Sequence, residues 1–205
     1  MRTLVQFTMC LLLPLGVRAV AAQDARLSRR LDAVTTSAVT AIIDTSRVTG
    51  LPTEPLVQKA LEGASKGASS EMVVGAVRAL ALRLRDARTA LETSNTSELV
   101  AAAAALDAGA RPDDLRKWRG LSAGERLTTA LIGSTYLMQH GVAADNAFSI
   151  VQAMLEAKLS SADFATLQQL VERDIRAGAP AAEAARVRAN ALILQRTRLR
   201  NDGGV

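Results

Sequence analysis

Cysteine is nearly missing from this chain of 205 residues: Cys10 is the only one, and it sits in an apolar N-terminal stretch. It lacks the preceding small-residue run of a lipid-acylated cysteine. With that stretch removed no thiol remains, which excludes disulfides, thiolate metal sites and a cysteine nucleophile. Aromatic residues are scarce too, five in all (Phe7, Trp118, Tyr136, Phe148 and Phe164), so stacking platforms for sugars are few. A single histidine, His140, excludes a histidine-rich metal site. No Gly-x-Ser-x-Gly elbow and no calcium-binding loop occurs. No cofactor is expected. Lysine is rare as well (Lys59, Lys66, Lys117 and Lys158), so the basic charge is carried by arginine, and the net charge is a mild +5. Losing Arg2 and Arg18 with the N-terminal segment leaves +3 from that figure. So diffuse an excess does not mark a nucleic-acid partner.

What the chain does have is alanine, leucine and valine, the bulk of a composition that is 49% hydrophobic. Alanine and leucine are the strongest helix formers, and no run of alternating β-branched residues competes with them. The expectation is an all-α protein: short helical hairpins packed as a compact bundle, with one longer heptad-patterned helix at about 70–91.

Residues 1–22 have the anatomy of a secretory signal peptide. Arg2 stands near the start, an apolar run follows from Leu4 to Val17, and small residues close the segment at Ala19-Val20-Ala21-Ala22. The run is short for a membrane span, and small side chains three and one before the cut suit a signal peptidase. Cleavage is expected after Ala21 or Ala22, placing the mature protein in the periplasm or outside the cell.

Turn signals divide the rest. The stretch from Gly50-Leu51-Pro52-Thr53-Glu54-Pro55 to Gly67-Ala68-Ser69-Ser70 reads as turn, short helix, turn, and related punctuation returns at Gly109, Gly120, Gly141 and Gly178. Before it, Leu27, Leu31, Val34, Ala38, Ile42 and Ile43 give one helical face over about 24–47. After it, Val73, Val77, Leu80, Leu84, Ala87 and Leu91 recur at alternate spacings of four and three, a packing seam. Thr93-Ser94-Asn95-Thr96-Ser97 is the most polar interval and the expected boundary between units at 23–92 and 98–200, packed together as one domain. Its Asn-Thr-Ser triplet matches a glycosylation acceptor, but the composition reads as bacterial and the motif carries little weight.

Beyond it the pattern predicts a buried alanine-rich helix from Glu98 to Ala108, a short helix at 112–119, and helices at 123–140, 144–158 and 162–177. A last helix opens at Pro180, with Ala184, Val187, Ala191 and Leu194 facing inward. Ser122 and Glu125 are read as a capping box. Two short helices and a turn per 35 to 40 residues is the scale of helical-hairpin repeats, without the signature of a named family.

Few residues suggest chemistry. His140 at a helix end is read as a cap. Asp113 and Asp114 follow Pro112, where acids stabilise a first helical turn, although an exported protein with paired acids could hydrolyse an envelope polymer, with Glu125 as the remaining nameable acid. Lys59 and Glu62 lie three apart on the polar side of the short helix. The sharpest hint is Arg186, Arg188, Arg196, Arg198 and Arg200, the most cationic stretch; Arg78, Arg85 and Arg88 extend its field if they share its side. Phe148 to Ile175 superficially matches a helix-turn-helix, but export argues against DNA, and no nucleic acid is expected.

The leading expectation is a scaffold of the cell envelope that binds a protein partner, since helical arrays expose long grooves. The alternatives are a cationic protein that associates with an anionic lipid or wall polymer through its C-terminal arginines, and a carboxylate hydrolase. Oligomeric state is not addressed by any motif.

Overall fold

The computed structural model describes residues 25–202, so the expected signal peptide lies outside the described residues. After one helical turn at 25–28, nine helices follow: α1 (Ala33–Val48), α2 (Glu54–Ser65), α3 (Ser70–Leu91), α4 (Thr96–Asp107), α5 (Pro112–Leu121), α6 (Gly124–Gln139), α7 (Ala144–Glu156), α8 (Ser161–Arg176) and α9 (Ala181–Asp202). No strand occurs among the described residues. The protein is an all-α bundle, and its hairpins make an array of two layers. Odd-numbered helices pack each on the next but one, α1 on α3, α3 on α5, α5 on α7 and α7 on α9. Behind them α4 packs on α6 and α6 on α8, while α2 lies against α3. Odd helices begin at residues 33, 70, 112, 144 and 181, spaced by 37, 42, 32 and 37, so the expected 35 to 40 holds for the first and last pairs and the middle two fall just outside it.

The seam on α3 is real: Val73, Val77, Leu84, Ala87 and Leu91 are buried and Leu80 partly so. This helix touches α1, α2, α4 and α5, so it is the spine of the N-terminal half. Gly63 on α2 lets α2 approach it, because a Cβ there would lie 2.9 Å from Cγ2 of Val73. Gly75 on α3, by contrast, has open space where its Cβ would be. Gly63→Ala should therefore cost about 1 kcal/mol net, overpacking outweighing the gain in helix propensity, whereas Gly75→Ala should gain about 0.5–1 kcal/mol. Paired urea melts check the opposite signs.

Three local expectations are corrected. The first helix is not continuous over 24–47: Asp32 interrupts it, its carboxylate accepting from Thr35 N at 2.9 Å and Thr35 Oγ1 at 2.5 Å to cap α1. The buried face restarts in a new phase, Thr35, Val39, Ile43 and Ser46, which leaves Val34 80% exposed. Ser122 and Glu125 form no capping box: Ser122 ends α5, and α6 opens at Ala123 without a side-chain cap. On α9, Ala184, Ala185 and Ala189 face inward, and Val187, Ala191 and Leu194 are exposed, because the side chain of Arg188 turns towards α8.

Asp32 also ties α1 to α3, accepting from Ser70 Oγ at 2.9 Å. Those donors hold its carboxyl at about 2, below the usual carboxylate value. A depressed folded value contributes stability that is present above the unfolded value of about 4 and is lost as pH falls through the folded one. The stability difference between the native chain and Asp32→Ala should shrink as the pH of a denaturant titration falls from 5 towards 2.

Candidate functional site

Two helices of the odd row, α7 and α9, build a groove lined by both polar and apolar residues. Helix α7 buries Ala147, Phe148, Val151, Met154 and Leu155, which turns Asn146, Ser149, Ile150 and Ala153 to its other flank. Helix α9 is seated by its alanines and by Arg188, whose Nε and Nη2 donate to the carboxylate of Asp174 on α8 at 2.5 and 3.0 Å. That pairing lowers the Asp174 carboxyl and raises the Arg188 guanidinium from their ordinary values. Small residues at 153, 182 and 189 keep the space between the helices open, a groove of about 620 Å³ also lined by Glu183, Arg186, Asn190 and Ile193.

The two helices run parallel, since Asn146 faces the start of α9 while Ala157 and Lys158 meet Arg196, Leu199 and Arg200 in a hollow of about 260 Å³. From residue 146 to 158 the wall is about 18 Å long at 1.5 Å per residue. Its middle is apolar, its first end carries Glu183 and Arg186, and its far end is cationic. Lys158, Arg186, Arg196 and Arg200 have no side-chain hydrogen bond or ion pair to any of the described residues. Lys158 takes the left-handed backbone conformation (φ 57°) that closes α7.

A second groove of about 510 Å³ lies between α1 and α3. Its polar wall is quenched from within: Thr45 Oγ1 donates to Ala41 O at 2.9 Å, Ser46 Oγ to Ile42 O at 2.9 Å and Thr49 Oγ1 to Ser46 O at 3.0 Å. What remains facing outward is Ala38, Ala41, Ile42, Ala81 and Leu82, with Arg78 and Arg85 beside them.

The C-terminal arginines are thus divided. Arg186 lines the α7/α9 groove, and Arg196 and Arg200 line the separate hollow further along the same two helices. Arg188 is spent on Asp174, and Arg198 lies with Ala191, Leu194 and Leu199 in another hollow. Lys59 and Glu62 do not join any of these grooves; Glu62 accepts from Lys59 at 3.2 Å and from Lys66, which lowers its carboxyl. Asp113 and Asp114 sit in the first turn of α5 as expected but part company, Asp113 exposed with Arg116 and Asp114 buried with Arg111 at 3.0 Å. His140 caps α6, with Nδ1 2.8 Å from Tyr136 O and its ring 4.0 Å from that of Tyr136.

Sequence reasoning missed Lys158, Asn146, Asn190 and the apolar pair Ile150 and Ile193. The only signal for Lys158 was a lone lysine just before the Ser160 cap; the others converge only through the parallel packing of α7 and α9. No protein-family model, curated protein or solved structure matches the chain. Among the described residues no helix is long and apolar enough to cross a membrane, and no group of acids and histidine is placed to hold a metal ion.

Proposed function

We propose that the protein is an exported helical scaffold that binds a protein partner, and that the α7/α9 groove receives an amphipathic segment of that partner, apolar along one face and acidic at one end. The observation that carries this reading is a groove with Ile150, Ala153, Ala189 and Ile193 in its wall, followed further along the same two helices by a hollow whose lining holds Lys158, Arg196 and Arg200 and no acid. A helix laid in a groove buries its apolar face, and charges at one end fix its direction and speed the encounter. Export is supported by the composition of residues 1–22.

A photo-crosslinking residue in place of Asn190 tests it in envelope extracts. A discrete cross-linked product is expected, and the combined change Lys158→Ala, Arg196→Ala and Arg200→Ala should weaken capture about tenfold, equivalent to roughly 1.4 kcal/mol. Unchanged capture by the triple variant, or none by either chain, contradicts the proposal.

One observation favours a second reading. The outward side of α9 exposes Val187 (47%) and Leu194 (58%) beside Arg198, with Leu199 (60%) between this side and the α7/α9 hollow, a combination suited to an anionic lipid surface. Co-sedimentation with vesicles containing anionic lipid, lost in Leu194→Ser with Arg198→Ser and weakened by salt, supports it; equal binding to neutral vesicles removes it.

A further inference from the structure

We propose that the α1/α3 groove is a second copy of the same binding site, so that one chain holds two amphipathic segments with acidic ends; this rests on the reading of the α7/α9 groove given above. The two grooves are built alike. Helices α1 and α3 also run parallel, as Ser70 Oγ donates to Asp32 at their first ends and Arg88 Nη2 donates to Gly50 O, at 2.7 Å, at their last. α1 and α7 begin at 33 and 144, and α3 and α9 at 70 and 181, so both pairs are offset by 111 positions.

At that offset part of the two walls coincides. Ile42 corresponds to Ala153, Leu82 to Ile193 and Arg85 to Arg196, and all six line their groove or its cationic end. In each case an apolar residue on the second helix of the pair is followed, three positions on, by an arginine on the same face. A ligand that sets an apolar side chain against Leu82 or Ile193 therefore meets a guanidinium about one helical turn further along.

Charge supports the same occupant. No acid lines the α1/α3 groove. Arg78 has no side-chain partner among the described residues, and Arg85 has only a 3.8 Å contact with its neighbour Asp86. With the hydroxyls of Thr45, Ser46 and Thr49 turned onto their own helix, little in the wall competes for polar ligand groups. An apolar face with an acidic end satisfies both features. Because α1/α3 and α7/α9 lie at opposite ends of the odd row, two segments can be held at once, and a partner carrying both gains affinity through effective concentration.

The test is a titration of the full chain with a fluorescent synthetic helix, alanine and leucine along one face and two glutamates in its last turn. Two peptides per chain are expected. Leu82→Glu with Arg85→Glu should reduce the count to one, as should Ile193→Glu with Arg196→Glu, and the combination should abolish binding. Circular dichroism confirms the fold of each variant; Arg78→Ala with Arg85→Ala, at exposed positions, is a milder change that should weaken one of the two sites about tenfold. A single site, lost with Ile193 and Arg196 and indifferent to Leu82, Arg78 and Arg85, overturns the second site and leaves the first. Absence of binding to the unaltered chain overturns both, as does equal binding of a scrambled peptide.

Discussion

Replacing Glu98 with alanine is expected to lower the free energy of unfolding by about 3–5 kcal/mol. Glu98 is 2% exposed, yet it is an acid, and every feature around it explains how its charge is tolerated. Its carboxylate accepts from Asn95 N at 2.9 Å, closing the capping box that starts α4, and from Gly124 N at 2.5 Å, which supplies the cap that the start of α6 lacks in its own sequence. Arg119 of α5 donates to it at 2.8 Å and also to Thr93 O. One side chain thus fastens α4, α5 and α6. Removing it leaves two backbone amides without their acceptor and a three-quarters-buried guanidinium without its counter-charge, and such orphaned groups carry the full desolvation penalty.

Arg119→Ala should cost less, about 1–2 kcal/mol, because Glu98 keeps its backbone donors. The double variant should lose less than the sum of the two, since both act on one network. Denaturant unfolding of the four chains measures this. A loss below 1 kcal/mol for Glu98→Ala would show that the network does not fasten the three helices.

The second large effect is expected at Trp118, where replacement by alanine should cost about 3–5 kcal/mol. Trp118 is fully buried on α5 and its ring centroid lies 4.8 Å from that of Phe148 on α7, with the planes tilted by 42°. The chain holds few aromatic residues, so this pair supplies much of the large apolar surface at the α5/α7 contact, and an alanine there leaves a cavity that neighbouring helices close only in part. Phe148 sits on the turn of α7 whose other flank lines the groove, so the damage should reach function. Phe148→Ala should shift the emission of Trp118 to longer wavelength, lower stability, and weaken binding of an acidic-ended helix without touching any groove residue. Unchanged emission would place the pair outside the core.

Much of this architecture was legible because glycine, proline and small polar residues punctuate helices for backbone reasons that do not depend on the fold. Gly50, Gly67, Gly109, Gly141 and Gly178 all take the positive φ that ends a helix, and Pro112 opens α5. Gly120 misled, since α5 runs through it to Leu121 and the positive φ falls on Gly124. The seam of α3 could be read because one helix that touches four others has a wide apolar face. The inner face of α9 could not: an alanine-rich helix offers apolar residues on several sides, and the choice was made by Arg188 reaching Asp174, fourteen positions away. Asp32 was passed over because the apolar spacing from Leu31 to Val34 continues across it, whereas its carboxylate competes for the amide and hydroxyl of Thr35 and stops the preceding turn.

The site was legible only in its charge. Five arginines near the C-terminus were visible, but which of them face a groove depends on helical phase, and Lys158 enters only because α7 ends beside the last turns of α9. Glu98 escaped notice for a similar reason. Its capping role is local and follows from Asn95 three residues before, but its bonds to Arg119 and Gly124 span 21 and 26 positions.

The central claim is that the α7/α9 groove binds an apolar helix with an acidic end, and methyl resonances report on it most directly. Titrating the full chain with the two-glutamate helix should shift the methyl signals of Ile150, Ala153 and Ile193 to saturation, with an affinity that falls as salt is raised and that the change Lys158→Ala, Arg196→Ala and Arg200→Ala weakens about tenfold. Methyl shifts confined to Val187 and Leu194 on the outward side of α9, or no shifts at all, would contradict it.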